Sequence, residues 1–280
     1  MEIRFNRFPG GCNKALLFSF DDGRTEDRQL LSLMNQYGIK GTFHLNSGLL
    51  GRGKHIQPEE IQSLYDGHEV AAHTYHHVYL KQLPSRMQVK ELMEDKEALE
   101  ELSGHIVRGL SWPYGSYCSE TETIARLSGY EYSRTTQDSG RLEPPEDLFA
   151  WHPTAHHSKM TDEVWNRFWD DHRNDMQILM LWGHSYEFDT TEKWERLAKL
   201  FSTIGGRQDV WYTTCIQMAE YLNAVRRLAL SASMKKIYNP SAVTVWIEAN
   251  GEKISIPGGE EVALSDSNLV LTNMNHIDMI

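Results

Sequence analysis

The chain has 280 residues, room for one large domain or a large domain with a small appendix. Hydrophobic residues make up 40% and charged residues 24%, with 8 Trp and 12 Tyr, a globular composition that excludes a disordered chain. A formal charge of -11 would repel nucleic acid and an anionic membrane face, which leaves neutral or cationic partners. In chain order, Lys14 to Phe20 is a short apolar run ended by Asp-Asp-Gly and predicts a buried parallel strand. Leu30, Leu33, Met34 and Tyr37 recur at helical spacing before Gly38, so a helix is expected from Glu26 to Tyr37. Ile39 to Leu45 is the second strand, Pro58 to Tyr65 a helix, and Glu69 to Ala72 the third strand. Ser85 with Gln88, and Ser119 with Glu122, have the spacing of capping boxes that open two further helices. Strands are also expected at Ile106 to Leu110, Tyr130 to Arg134, Ile178 to Trp182 and Val210 to Thr214, and helices at Lys193 to Phe201 and Ile216 to Leu230.

About seven strands alternating with helices give an α/β protein, either a (β/α) barrel or an open doubly wound sheet. After Ser233 the pattern changes. Val243 to Ala249 and Lys253 to Ile256 flank Asn250-Gly251, the preferred two-residue hairpin turn. The expected division is therefore a barrel over 1–232 and a small antiparallel appendix over 233–280, a surface through which a homo-oligomer could form. Cys12, Cys118 and Cys215 are odd in number and widely spaced, which suggests neither a disulfide framework nor a cysteine zinc site. No apolar segment follows a basic start at Met1 to Phe8, and no run could span a bilayer. The expected location is cytoplasmic, with no membrane partner.

Four sites place ionisable or turn-forming residues behind apolar runs: Asp21 and Asp22, His73, Trp112 to Gly115, and His184. In a barrel of parallel strands the loops after the strands converge on one mouth, so these residues become neighbours. Adjacent carboxylates point different ways on extended backbone, so one of Asp21 and Asp22 could bind a metal while the other handles a proton. A turn and helix cap is the commoner use of a lone Asp-Asp-Gly. His73 and His77, four apart, can share an ion, and His73 could also pair with His76. Two histidines and one carboxylate leave an open position for water on a zinc-like ion. His184 is placed to protonate a leaving amine, although a histidine standing alone there would more often be structural.

Ser19-Phe20-Asp21-Asp22-Gly23, His73-Thr74-Tyr75-His76-His77, Trp112-Pro113-Tyr114-Gly115 and Leu181-Trp182-Gly183-His184 resemble the ordered motifs of the polysaccharide deacetylases, carbohydrate esterase family four. The resemblance runs from residue 19 to 184 and implies an irregular (β/α) barrel that removes acetyl groups from sugars with a divalent metal. It makes Asp21 the general base, Asp22, His73 and His77 the metal ligands, His76 a bystander, and His184 the general acid. It gives Thr74 a bracing role. Pro113 and Tyr114 would line the groove, with the Tyr114 backbone N–H on the oxyanion. Trp182, Tyr114 and Trp112 are the candidate sugar contacts. Zn2+ is the expected metal, with Co2+ or Ni2+ compatible by geometry.

One departure stands out. The family pattern carries an arginine two residues before the proline, and this chain has Ser111. A substitute for Asp21's partner would have to come from Arg108, Arg134 or Arg141. Asp138 is a loose candidate for the family's later acidic motif. The cluster His152, His156 and His157 either reaches the mouth or forms a surface loop, and Glu187 and Asp189 either line the groove or are solvated. The leading expectation is a deacetylase of an N-acetylated or O-acetylated sugar. The alternatives are an amidohydrolase of a small amide or cyclic imide, and a catalytically degenerate carbohydrate-binding protein.

Overall fold

The computed structural model describes residues 2–170 and 174–264. After a short strand β1 (Ile3–Arg4) come eight parallel strands: β2 (Lys14–Asp21), β3 (Thr42–Leu45), β4 (Glu69–Ala72), β5 (Gly109–Ser111), β6 (Tyr132–Arg134), β7 (Ala155–His156), β8 (Gln177–His184) and β9 (Val210–Tyr212). Their order in space is β6-β5-β4-β3-β2-β8-β7, with β9 also on β2. Since β8 pairs with β2 along its whole length, β3 and β9 share the other edge, at Ser19–Asp21 and Lys14–Leu16 respectively. The segment between β6 and β7 closes the curl. Trp151 N–H donates to Ser133 O at 3.2 Å, Thr135 N–H to Trp151 O at 3.0 Å, and Thr154 N–H to Met180 O at 3.0 Å. The result is a curled, irregular (β/α) barrel.

The central strand β2 shows why its sequence is apolar on both faces. Leu16, Phe18 and Phe20 face the helix layer and join Leu30, Phe43 and Phe201 in one buried cluster, with Phe18 edge-on to Phe201 at 5.2 Å. Their alternates Ser19 and Asp21 turn to the barrel interior, as the two-residue period of a strand requires. That interior is polar and closed. Arg134 Nε donates to Ser19 Oγ at 2.9 Å, Tyr132 O–H to Glu69 Oε1 at 2.8 Å, and Thr42 O–H to Glu69 Oε2 at 2.8 Å. Buried polar groups are tolerated at this density because they satisfy one another.

The helices are α1 (Asp27–Gln36), α2 (Ile61–Leu64), α3 (Ser85–Ser103), α4 (Ser119–Leu127), α5 (Asp162–Asp170), α6 (Thr191–Ile204) and α7 (Cys215–Arg226). Two caps differ from the sequence expectation. The N-cap of α3 is Pro84, and Gln88 Nε2 donates instead to Leu83 O at 2.8 Å. For α4 the cap is Cys118, whose N–H donates to Thr121 Oγ1 at 2.6 Å, one residue earlier than Ser119 and Glu122. Helix α7 stops at Arg226, and Ala229–Leu230, expected inside it, is strand. Helix α5 has no counterpart among the expected elements.

The described residues form two compact units, 14–170 with 177–219, and 2–13 with 174–176 and 220–264. The sequence places the boundary instead at 232/233. In the second unit β12 (Val245–Ala249) and β13 (Glu252–Ile256) make the expected hairpin, following β10 (Ala229–Leu230) and β11 (Lys236–Tyr238) and preceding β14 (Glu261–Ala263). Asn250 and Gly251 take φ of 51° and 84°, the left-handed pair a two-residue turn demands. The hairpin gains a third strand because β1 pairs antiparallel with β12, and β10, β11 and β14 form a second antiparallel sheet. Arg7 and Glu248 form a buried ion pair, and Asn174 Nδ2 donates to both Glu248 oxygens at 2.9 Å. These contacts tie the N-terminal residues and 174 to the hairpin. Among the described residues no helix is long and apolar enough to cross a membrane.

Candidate metal and catalytic site

The strands deliver chemistry at one end. Asp21 ends β2, His73 follows β4, Ser111 ends β5, Arg134 ends β6, His156 ends β7 and His184 ends β8. Asp21 and His184 are direct register partners on neighbouring strands. The adjacent carboxylates part because Asp21 is the last residue of the strand while Asp22 turns into the left-handed region at φ 80°.

Asp22, His73 and His77 bring their ligand atoms together within 4.8 Å of one another. His73 Nε2 lies 3.8 Å and His77 Nε2 3.6 Å from Asp22 Oδ1. The histidines meet across a turn rather than along a helix, with Thr74 at φ 64° and His77 at φ 56°. Thr74 Oγ1 accepts the Val78 N–H at 3.3 Å, a side-chain brace on this turn. Each of the two rings is fixed through its other nitrogen. His73 Nδ1 is 2.9 Å from Ser111 O and 2.6 Å from Ser111 Oγ, and His77 Nδ1 is 2.9 Å from the Tyr114 hydroxyl. Such outer partners orient ligating imidazoles. Burial pushes His73 down to about 3, which keeps the imidazole neutral and able to ligate. Asp22 Oδ1 is buried with no hydrogen-bond partner, an orphaned acceptor facing two imidazole nitrogens. A divalent cation would satisfy that acceptor, so these residues fit the expected group.

Helix α3 holds the histidine turn from behind through two carboxylates the sequence did not single out. Asp95 accepts the His73 N–H at 2.9 Å and the Ser47 N–H and O–H at 2.7 and 2.6 Å. Glu91 accepts the His76 N–H at 2.9 Å and sits 2.7 Å from His76 Nδ1. His76 is thereby drawn away from Asp22.

Asp21 is 2% exposed, and Arg134, fully buried, donates from one guanidinium nitrogen to both of its oxygens. Of the three arginines considered, Arg134 is the one that reaches Asp21. Ser111, at the arginine's place in the motif, donates to Asp21 Oδ1 at 3.2 Å. Burial alone would raise the Asp21 carboxyl, but the Arg134 charge and the neighbouring His73 and His44 hold it well below the carboxylate range.

His184 stands between two carboxylates, Nε2 4.0 Å from Asp22 Oδ2 and Nδ1 3.5 Å from Glu187 Oε2. Glu187 Oε2 also accepts the His184 N–H at 2.9 Å. Burial opposes a charge on His184, but Glu187, Asp21 and Asp22 outweigh it and raise the imidazole above its ordinary value. Asp138 does not fill this place. It accepts from Trp182 Nε1 at 2.7 Å and Lys159 Nζ at 2.8 Å. Asp189 pairs with Lys193 at 2.7 Å on the surface.

The aromatic candidates separate by burial. Tyr114 is 51% exposed at φ 58°, and its ring stacks on Tyr79, 46% exposed, at 4.0 Å. Trp182 is half-buried between the Arg134 guanidinium at 4.7 Å and His156 at 4.8 Å. Trp112 departs from the expected sugar contact: it is fully buried, its Nε1 donates to Phe149 O at 2.9 Å and its ring stacks on Tyr117, so it offers no face to a substrate. Pro113 is likewise buried and shapes the turn from inside. His152 binds Thr135 Oγ1 through Nδ1 at 2.6 Å, apart from His156 and His157.

Comparison with known proteins places the chain beside the polysaccharide deacetylases. Residues 10–133 match the family model described as polysaccharide deacetylase. The chain is 27% identical over 141 residues to the protein YxkH of Bacillus subtilis, covering 50% of each chain. It is 29% identical over 112 residues to the peptidoglycan-N-acetylglucosamine deacetylase of Bacillus cereus, covering 39% of each. The match thus spans half or less of these relatives' lengths. A solved structure from Mycobacterium smegmatis superposes with a TM-score of 0.61 at 21% identity, over 78% of this chain and 93% of that one, a likeness of fold.

Proposed function

Because the chain belongs to the polysaccharide deacetylase family, we propose that it hydrolyses the acetyl group from an N-acetylated or O-acetylated sugar, with Asp22, His73 and His77 holding a divalent metal. The observation that carries the proposal is the orphaned Asp22 Oδ1 facing His73 and His77, with Asp21 and His184 beside it. Three protein donors leave room for water and substrate on an ion of the zinc class. When bound there, the ion would polarise the acyl carbonyl and lower the pKa of a water toward about 7.

The chain's own residues supply the proton steps. Asp21, kept ionised by Arg134, takes the proton of the attacking water. His184, raised by the carboxylates around it, returns a proton to the leaving nitrogen or oxygen. Glu187 Oε2 accepts the His184 backbone N–H and lies 3.5 Å from Nδ1, so its charge favours the protonated ring. The Tyr114 N–H is the proposed donor to the oxyanion, and the stacked, exposed Tyr79 and Tyr114 rings suit the apolar face of a sugar.

The test is acetate release from N-acetylglucosamine oligomers by the zinc-loaded protein, before and after chelation. Release lost on chelation and regained with zinc supports the reading. Hydrolysis of a small amide or cyclic imide with none of the sugars would overturn the substrate assignment. No hydrolysis of any of them would leave the degenerate carbohydrate-binding protein as the better account.

A further inference from the structure

The barrel mouth holds a second convergence of metal-binding groups, on the far side of His184 from Asp22. We propose that His156, His157 and Glu187 form a second divalent-cation site of the zinc class, separate from the Asp22–His73–His77 site. The ligand atoms of the three residues lie within 4.8 Å of one another. His157 Nε2 is 2.7 Å and His156 Nε2 3.2 Å from the same Glu187 Oε2.

The local backbone explains how neighbours in sequence reach one point. Consecutive side chains on a strand face opposite ways. Here β7 ends at His156 and a 3-10 turn begins at His157, so the chain bends between them and the two rings come within 4.6 Å. Glu187 arrives from the 3-10 turn Ser185–Glu187 that follows β8. Ser158 Oγ lies 2.7 Å from His156 Nδ1, an outer contact that leaves Nε2 to the cluster. Gly183 makes the space: a Cβ there would meet His157 Cδ2 at 2.2 Å and Glu187 Oε2 at 2.9 Å. The His156 and His157 side chains are 13% and 14% exposed and Glu187 is 30% exposed, so an ion can enter from solvent.

Two imidazoles and one carboxylate form a zinc donor set with an open position. The present spacings are those of a hydrogen-bonded cluster. Around a tetrahedral ion with ligands at about 2.0–2.1 Å the donor atoms stand roughly 3.3 Å apart, so the His157 contact must open by a few tenths of an ångström. The ion takes the place of the Nε2 contacts to Glu187, and a neutral ring that ligates through Nε2 carries its single proton on Nδ1, which in His156 faces Ser158 Oγ.

The experiment is zinc titration of the purified protein at micromolar free zinc, with metal counted per chain. Wild type, His156→Ala, Glu187→Gln, His77→Ala and the double variant His77→Ala/His156→Ala are compared, each checked for folding by circular dichroism. The expected counts are two, one, one, one and zero. A wild type that saturates at one zinc, with none left in His77→Ala, overturns the second site. So does a count of two that neither His156→Ala nor Glu187→Gln reduces. Anomalous diffraction from zinc-loaded wild-type crystals decides without variants: a peak within coordination distance of Glu187 Oε2 supports the site, and a single peak at Asp22 overturns it. These counts do not depend on the substrate, so failure of the deacetylase reading would appear in hydrolysis assays alone.

Discussion

Arg134 donates to both carboxylate oxygens of Asp21 inside the barrel, where their side chains are 0% and 2% exposed. The two residues are 113 positions apart and end strands β6 and β2. The pair gives Asp21 the cationic partner that Ser111 cannot supply. Breaking it should be costly because an unpaired charge would stay buried. Arg134→Ala is expected to lose about 3–5 kcal/mol of stability, read by denaturant unfolding, with Arg134→Lys losing less. An Arg134→Ala protein within about 0.5 kcal/mol of wild type would show that the pair is not what secures Asp21.

The two neighbouring histidines make opposite predictions. His77 Nε2 faces Asp22, whereas His76 Nδ1 is held by Glu91 at 2.7 Å. His77→Ala should remove one bound metal per chain and His76→Ala none, measured by mass spectrometry of the zinc-loaded proteins. Equal losses from both would sink the ligand assignment.

Asp21 and Asp22 are adjacent yet have different predicted roles. Asp21→Asn should retain the metal and abolish turnover, since an amide cannot take the water proton. Asp22→Asn should weaken metal binding itself. Measuring metal content and hydrolysis on the same samples separates them, and full turnover by Asp21→Asn would move the base elsewhere.

Glu69 predicts a pH dependence of stability. Burial pushes its carboxyl up to about 7, although Ile216 N–H, Tyr132 O–H and Thr42 O–H all donate to it. The folded value lies above the unfolded one of about 4.3, so the folded state binds the proton more tightly. That contribution is full below pH 4 and is lost as pH rises through 7, on the order of a few kcal/mol. Stability of wild type relative to Glu69→Gln should therefore fall between pH 4.5 and 7.5, by chemical denaturation at each pH. A flat difference would mean that Glu69 does not titrate in this range.

Much of the barrel is legible in the sequence because its strands are apolar on both faces and stop at polar residues. Glu69–Ala72 begins and ends where its residues say it should, and β2 and β8 extend the expected runs by one to three residues. Asp22, His73 and His77 could be grouped because each follows such a run. Arg134 could be named only as one of three arginines, since its pairing depends on how the barrel curls. Asp95 and Glu91 were hidden, and Glu187 could be named only as groove-lining or solvated, for the same reason: nothing in a helix or a turn marks which carboxylate will face a histidine. Trp112 misleads because an aromatic residue before a turn reads the same whether it faces the groove or the core. Strand β7, two residues long, is too short to register, whereas the nine-residue α5 has a helical repeat at Val164, Trp165, Phe168 and Trp169 that is legible in the sequence yet absent from the expected elements.

The central claim is tested most directly by acetate release from N-acetylglucosamine oligomers, with metal counted on the same samples of zinc-loaded wild type, Asp21→Asn and His77→Ala. The account predicts release by wild type, metal without release in Asp21→Asn, and loss of one metal together with release in His77→Ala. Undiminished release by both variants, or none from a wild type that holds its metal at Asp22, His73 and His77, would contradict it.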